Sequence, residues 1–487
     1  MCRIFSGANH VIAYLGQPHP WLDQAIELLA AAATGQHRLV IQLVHRTAGF
    51  DVIWAAEALI SIFKSAWWDR VWTVQEFIVG AQVSFYFGRI EINSDLLRKG
   101  VQYIANVDGW YATLFPTGEW SSHLPARDLL TSGFIDLAEK LSTVSAQLSA
   151  LSTFDARTSL LNALGGFQNR NSGDPRDKVY SLIGLFPRSD HIIKVDYTIS
   201  PEQLFEDFTL AWIQEHHDLR VLGYLHDPEH RVHKNMPSFA IDWSYRPSMS
   251  TASTLSTRVM VQKQLFDACR GSKALWRRRS SRHVCADGFL FDTIKATGAK
   301  DISSSWSSRY TTLQGIVDMT DAMMGINDEG RQRDTLMIIQ HTLCMSCKSE
   351  AGIFTRLTAQ DVERPPKPWW TCFFDLPEEP SGHRLSIELE AKGSESTVRV
   401  ASLERTVIFT EKGRMGLAPD WCKTGDAIAV MAGGAVPIVL RPVGEVQGEG
   451  VPSFTIVGEA YVDGCMDGQA FYACGRGQGD FDEIYLL

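Results

Sequence analysis

The chain has 487 residues, of which 45% are hydrophobic and 21% charged, a balance typical of globular proteins. Its net charge of −10 argues against non-specific nucleic-acid binding, so we expect no nucleic-acid partner. The best candidate for a membrane span, residues 52–63, is too short and contains Glu57, so we expect no span. The nine cysteines are an odd number in a long chain without a signal-peptide pattern, which predicts a reducing, cytoplasmic setting.

Predicted strands and helices alternate at the start of the chain. Two short apolar runs, Val11–Gly16 and residues 82–88, predict strands. Between them the apolar periodicity predicts helices over Trp21–Ala33, residues 53–64 and Ala66–Val79. Residues 1–95 therefore read as an α/β segment.

The centre of the chain is predicted to be mainly helical. It divides into a middle region, residues 96–300, and a helical connector, residues 301–394. One helix is expected to start where Asp174 caps it and Pro175 takes the first helical position. Another is expected after Ser200, and strand-like pieces occur at residues 238–243 and 288–294.

Residues 395–487 have a different pattern. Short apolar runs recur between glycine-rich turns, at residues 406–410, 427–431, 436–440 and 455–457. This pattern predicts a small β-rich unit, a meander or a barrel. The fold class of the whole chain is thus expected to be α+β.

A glutamine and a glutamate lie in the most aromatic segment. At helical spacing Trp68, Trp72 and Gln75 share one face, so the Gln75 amide is expected to be buried and to need hydrogen-bond partners. Glu76 lies at the edge of that face. Either these two side chains hold the helix to its neighbours, or Glu76 carries chemistry.

Metal ligands were sought among the histidines and cysteines. The spacing of His226, His230 and His233 would allow two ligands on one helical face, but a proline interrupts the segment. Cys344 and Cys347 lack a second pair at a suitable spacing, which favours buried core thiols. We therefore expect no metal site.

Three blocks of sequence share a recognisable order and spacing. In the first, Trp67, Arg70, Trp72, Gln75 and Glu76 follow residues 1–16 in a Trp-x-x-Arg-x-Trp-x-x-Gln-Glu pattern. The second is Asp174-Pro175-Arg176-Asp177 with its following apolar residues. The third includes Arg441 and the pair Gly458-Glu459. In this order the three blocks resemble those of fungal heterokaryon-incompatibility (HET) proteins, and the first block matches that family's pattern at every position.

The resemblance implies an α/β, TIR-like HET domain at the N-terminus. The opening block of that domain is absent, so the domain is expected to be truncated. Either the gene model starts at an internal Met, or the protein itself is a true truncation. Ser65, Trp67 and Glu76 resemble the helix that carries the catalytic glutamate of NAD-cleaving TIR domains. That likeness implies Glu76 as catalytic residue and NAD as its ligand; otherwise no cofactor is expected.

The charged residues of the first two blocks have a structural interpretation. Arg70, Asp174, Arg176 and Asp177 are expected to form ion pairs and helix caps that fix local geometry.

Three hypotheses for function remain open. The preferred one is non-self recognition leading to programmed cell death through contacts with an unidentified protein partner, as the resemblance implies. The second is an NAD-cleaving enzyme that uses Glu76. The third is a family member reused as an accessory protein in a fungal metabolic pathway.

Overall fold

The computed structural model of the protein divides the chain into two compact units. The N-terminal unit comprises residues 1–191 and 246–250, and the C-terminal unit comprises residues 192–245 and 251–487. The structure describes residues 2–46, 52–105, 159–186, 192–279, 283–300, 315–316, 318–320, 322–323, 338–350, 353–358, 397–445 and 451–487.

The N-terminal unit contains helices and a small sheet. Its described elements are α1 (Cys2–Ser6), β1 (Val11–Gly16), α2 (Leu22–Ala33), α3 (His37–Arg46), α4 (Val52–Phe63), α5 (Thr73–Val79), β2 (Val83–Phe87), β3 (Ile90–Asn93), α6 (Ser94–Ala105), α7 (Leu160–Gly166) and α8 (Asp177–Ile183).

The sheet of this unit has the order β1-β2-β3. Strand β2 runs parallel to β1 and antiparallel to β3. Side chains of β1 alternate between buried and exposed, with Val11, Ala13 and Leu15 inside. Both predicted strands are confirmed, and the parallel pair is joined by a helical crossover, as parallel strands require.

The predicted helix over Ala66–Val79 is wrong in its first half. Residues 66–72 form turns, and α5 begins only at Thr73. The reason is a contact far along the chain: Arg70 forms a parallel bridge with Asn171, and the Val71 N–H donates to the Asn171 carbonyl at 2.8 Å. A backbone N–H that pairs with a distant segment no longer closes a helical turn.

The remaining described elements are α9 (Pro201–His216), α10 (Met249–Leu265), β4 (Arg277–Arg278), β5 (Val284–Lys300), β6 (Cys347–Glu350), β7 (Ile353–Arg356), β8 (Arg405–Thr410), β9 (Met415–Pro419), β10 (Ala427–Met431), β11 (Ile438–Glu445), β12 (Pro452–Glu459), β13 (Tyr461–Val462), α11 (Gln469–Ala473) and β14 (Asp482–Leu486).

Helix α9 starts as its sequence predicts. The Ser200 hydroxyl accepts a hydrogen bond from the Gln203 N–H at 3.2 Å, and Pro201 is the first helical residue. The strand expected at residues 238–243 is wrong. Its Ser238 and Ala240 carbonyls accept hydrogen bonds from the Arg231 guanidinium, so this segment turns beside an arginine and pairs with no strand.

A closed five-stranded barrel dominates the C-terminal unit. Its strands follow the order β10-β11-β12-β14-β5, and β5 pairs back with β10 to close the ring. The β-rich character expected for residues 395–487 is confirmed for the described residues. The strand-like piece predicted at residues 288–294 is confirmed as part of β5, although the region around it was predicted to be mainly helical. The partners β10 and β14 lie more than 100 residues further along the chain. The chain is therefore α+β.

Long strand β5 serves two sets of partners. Its first part pairs with β14 and β10, and its second part pairs with β8. At Gly288 a Cβ atom would lie 2.6 Å from Met431 Sδ and 2.9 Å from the Val430 carbonyl, so only glycine fits between these strands. Phe289, Val430 and Ile428 then fill the barrel core.

The connector predicted for residues 301–394 lies largely outside the described residues. Its described part includes the antiparallel hairpin of β6 and β7. Among the described helices, none combines the length and apolarity needed to cross a membrane.

Candidate functional site

The first motif block places an acid against a tryptophan. The Trp67 indole N–H donates to Glu76 Oε2 at 2.9 Å. The Trp67 ring is itself fixed by edge contacts with Trp68 and Phe85, at centroid distances of 4.8 and 5.3 Å. Glu76 is partly buried, and its Oε1 receives no hydrogen bond within the described part of the chain. The pair thus fixes one carboxylate oxygen and leaves the other open.

The first and second blocks contact each other directly. The Trp72 indole N–H donates to Asp177 Oδ2 at 3.0 Å. The Gln75 amide, 2% exposed, donates to the Ser181 carbonyl. Gln75 Oε1 and Ser181 Oγ are buried and find no hydrogen-bond partner among the described residues. Contacts between the two motif blocks therefore join α5 to α8, and they leave two buried polar atoms unsatisfied, which lowers stability.

Two buried cations support this junction. Arg170, 1% exposed, donates to Thr73 Oγ1 at 2.9 Å, and burial lowers the pKa of its guanidinium to about 10. Lys178, 4% exposed, donates to the Gln168 carbonyl at 2.7 Å and to the Arg170 carbonyl. Lys178 thus satisfies backbone carbonyls where the chain passes from α7 to α8, whereas Arg170 links this segment to the Thr73 hydroxyl and the Arg70 carbonyl.

The Asp-Pro-Arg-Asp segment is a turn that leads into α8. Asp174 accepts hydrogen bonds from the Arg176 N–H at 2.9 Å and forms an ion pair with its guanidinium at 2.7 Å. The hydrogen bond and ion pair with Arg176 lower the pKa of Asp174. Helix α8 starts at Asp177, two residues after Pro175, the first helical residue predicted from the sequence. Arg70 lies with its side chain exposed and contributes here through its backbone.

We expect Trp72 and Asp177 to be energetically coupled. Trp72→Phe removes the donor and Asp177→Asn removes the charge, so each substitution weakens the same charge-assisted hydrogen bond. A double-mutant cycle on urea unfolding should give a coupling energy of about 1 kcal/mol. Additive effects of the two substitutions would show that the contact contributes nothing to stability.

Lys178→Met should lower the free energy of unfolding of the N-terminal unit by about 2 kcal/mol. The substitution leaves the Gln168 and Arg170 carbonyls buried without their ammonium donor. Lys64→Met is the matched control, because Lys64 is exposed. Hydrogen exchange in α7 and α8 measures the effect, and equal exchange in both variants would contradict it.

The third block fixes the barrel. Arg441 donates to Asp426 Oδ1 from Nε at 2.9 Å and to Oδ2 from Nη2 at 2.8 Å, and the hydrogen bond with Asp426 raises the pKa of Arg441. Gly458 has a φ of +149° where the register of β11 and β12 shifts, and a Cβ there would lie 2.8 Å from Pro419 Cγ. Glycine is thus required at this bulge.

Glu459 faces a buried polar cluster. With the Gln262 amide nitrogen turned toward it, Gln262 donates to Glu459 Oε2 at 2.7 Å and accepts from Arg405 Nη2 at 3.0 Å. Arg405 and Arg258 are 2% and 6% exposed. Burial raises the pKa of Glu459 to about 7, against the opposing effect of Arg405 and Arg258.

The residues considered as metal ligands have other roles. The rings of His226 and His230 both contact the Tyr245 ring, at 4.4 and 5.6 Å between centroids. Burial raises the pKa of both the Cys344 and Cys347 thiols to about 12. Among the described residues no group of three histidine, cysteine or acidic side chains has the geometry of a metal site.

Sequence reasoning missed the buried cations. Arg170, Lys178, Arg258 and Arg405 were not singled out, although each is at most 6% exposed. The only local signal was weak: Lys178, for example, directly precedes the apolar residues Val179-Tyr180. Such a residue is buried only when backbone or amide groups in the fold form hydrogen bonds with it, and those groups can belong to distant segments.

Comparisons with known proteins match the whole chain and its barrel. A family model described as the Het-6 beta-barrel domain matches residues 387–481, which contain β10, β11 and β12 but neither β5 nor β14. The chain is 23% identical over 551 aligned positions to the protein named Heterokaryon incompatibility protein 6, OR allele, of Neurospora crassa. That alignment covers 96% of this chain and 78% of the relative. No solved structure matches the chain.

Proposed function

We propose that this chain is a fungal heterokaryon-incompatibility protein with a HET domain and a Het-6 barrel. We further propose that it acts in non-self recognition leading to programmed cell death through protein contacts. The observation that carries this proposal is the similarity to Heterokaryon incompatibility protein 6 along 96% of the chain. The similarity extends through both compact units, so it is not limited to a shared barrel.

The use of the motif residues supports contacts over chemistry. The Trp72 indole donates to Asp177, and the Gln75 amide donates to the Ser181 carbonyl. Side chains that form internal hydrogen bonds stabilise the shape of a surface and are not available to bind a substrate. A recognition protein needs that rigidity because its partner binds a surface of fixed shape.

The test is inducible expression of the full chain in a fungal host, with viability and cellular NAD followed together. We expect cell death with NAD unchanged, and equal death from wild type and Glu76→Gln. Trp68→Ala serves as the control that perturbs the N-terminal unit. Survival of cells that express the folded wild-type chain would overturn the proposal.

A second candidate, NAD cleavage, rests on the Trp67–Glu76 contact. One oxygen of the Glu76 carboxylate is held at 2.9 Å by the indole, and the other receives no hydrogen bond among the described residues. A fixed, partly exposed carboxylate is what stabilises an oxocarbenium-like centre in glycosidic cleavage. This reading assigns Glu76 the catalytic role and NAD the role of substrate.

The second candidate predicts a sharp loss in one variant. Glu76→Gln keeps the acceptor for Trp67 but removes the charge, so NAD loss and death should both disappear. Glu57→Gln, on α4, is the matched control because Glu57 is exposed. NAD loss that persists in Glu76→Gln would exclude this mechanism.

A further inference from the structure

The C-terminal unit contains a cavity that neither the motif blocks nor the proposed function explain. Its volume is about 770 Å³, within the range of about 300–1,000 Å³ that pockets for small organic ligands occupy. It lies between the loop of residues 225–238 and strands β11 and β12. All of its lining residues belong to the C-terminal unit.

One side of the cavity is apolar. Leu225, Met236, Ile456 and Val457 are each at most 8% exposed and line it together. Trp421 joins them and is held in place, because its indole N–H donates to the Val457 carbonyl at 3.0 Å. This wall suits a flat hydrocarbon or aromatic moiety.

The other side carries an excess of cations. Arg231, Lys234 and Arg441 line the cavity, and Glu206 is the acid among the lining residues. Glu206 already pairs with Arg278 at 2.7 Å. Neither Arg231 nor Lys234 forms an ion pair within the described residues; both donate to backbone carbonyls. Three cationic side chains therefore line the cavity with one acidic side chain, and the charge of Arg441 is shared with Asp426.

Arg441 is positioned to bind an anion. Its Nε and Nη2 hold Asp426, and Nη2 also donates to the Trp421 carbonyl at 2.9 Å. Its Nη1 makes no hydrogen bond in the described part of the chain, and the side chain is 28% exposed. A guanidinium fixed on one edge and open on the other binds an oxyanion without losing further side-chain entropy. Asp227, the next acid, is engaged with the Glu229 N–H at 2.9 Å.

We propose that this cavity binds a small organic anion, with its carboxylate or phosphate at Arg441 and Lys234 and its apolar part against Trp421, Met236 and Ile456. The binding site belongs to the barrel unit and is independent of Glu76. The proposal therefore stands whether the chain acts by contacts or by NAD cleavage.

The test uses the full chain and three probes of one shape: 1-naphthyl phosphate, 1-naphthoate and the neutral 1-naphthol, followed by isothermal titration calorimetry. We expect one saturable site for the anions and binding of 1-naphthol that is at least about tenfold weaker. The two anions separate a phosphate from a carboxylate preference. Equal binding of 1-naphthol would overturn the proposal, because the cavity would then be only apolar.

Two variants locate the site. Lys234→Glu should weaken binding of 1-naphthyl phosphate about fivefold, since an exposed charge is replaced by its opposite. Lys295→Glu, on the exposed side of β5, has the same charge change outside the cavity and should leave binding within about twofold. Equal losses in both variants would reduce the effect to net charge and overturn the assignment. Both positions are exposed, and thermal unfolding confirms that each variant folds.

Discussion

Replacing Glu459 by glutamine is expected to raise the free energy of unfolding of the C-terminal unit at pH 8 by up to about 3 kcal/mol, and to leave it nearly unchanged near pH 4.5. The cause is burial. Neither Arg258 nor Arg405 forms an ion pair with the Glu459 carboxylate among the described residues, because the Gln262 amide lies between Glu459 and Arg405. The ionised carboxylate therefore loses water and gains the neutral Gln262 amide, but no cation, as a direct partner.

The direction of the change in stability with pH depends on whether the folded or the unfolded chain binds the Glu459 proton more tightly. The folded chain binds the Glu459 proton with a pKa of about 7, whereas the ordinary value is 4.5. The contribution of this group to stability is thus complete below pH 4.5 and is lost as the pH rises through 7. Glutamine stays neutral throughout and avoids that loss. The figure is an upper limit, because Glu459 keeps some contact with solvent, which screens the charge of its carboxylate.

Urea unfolding of wild type and Glu459→Gln between pH 4.5 and 8 measures the difference. Glu411→Gln is the control, because Glu411 is exposed in the turn after β8. A Glu459→Gln variant that is less stable than wild type at pH 8 would show the opposite balance. The two buried arginines would then stabilise the charged carboxylate more than burial destabilises it.

Elements defined by local chemistry could be predicted from the sequence. Strand β1 was predicted with its bounds, and β10 with both ends. Helix α9 was located by a serine cap and a following proline. In each case the signal and its cause lie within a few residues, so that no distant contact has to be known.

Elements defined by distant partners could not be predicted from the sequence. Residues 66–72 have helical spacing of tryptophans, yet a bridge from Arg70 to Asn171 turns the chain there. A strand-like pattern at residues 288–294 predicts part of β5, but nothing local predicts its pairing with β10, which lies more than 100 residues further along the chain and closes the barrel. A pattern of apolar residues indicates what is buried but not which segment covers it.

The candidate site shows the same division. The sequence indicated that Gln75 is buried, which is confirmed at 2% exposure. It placed Glu76 at the edge of the face that contains Trp72, whereas the indole that binds Glu76 belongs to Trp67. Trp72 is not the partner of Glu76, because the turn at residues 66–72 places the Trp72 indole against Asp177. The catalytic role of Glu76 stays a proposal.

Replacing Trp68 by alanine is expected to lower the free energy of unfolding of the N-terminal unit by about 3–5 kcal/mol. Trp68 is 1% exposed and contacts the rings of Phe63, Trp67 and Phe85 at centroid distances of 5.2, 4.8 and 5.1 Å. Its indole N–H donates to the Ile62 carbonyl at 3.0 Å. The substitution removes all of these contacts and leaves a cavity between α4 and β2.

Trp54→Ala is the matched control. Trp54 is 44% exposed and stacks on Trp21 at 6.1 Å, so its loss should cost less than about 1 kcal/mol. Hydrogen exchange of the full chain distinguishes the two units, because peptides from β2 and peptides from β12 are resolved in the same experiment. Faster exchange in β2 for Trp68→Ala alone is the expected result, and equal exchange in both variants would contradict it.

The Trp68 result also decides how the Glu76 experiments are interpreted. Trp68 packs against Trp67, and Trp67 holds Glu76. A core substitution therefore displaces the carboxylate, whereas Glu76→Gln removes its charge and keeps the packing. If both variants stop cell death but only Trp68→Ala changes hydrogen exchange, the carboxylate acts through its charge. If only Trp68→Ala stops cell death, the N-terminal unit acts through its shape, as recognition by protein contacts requires.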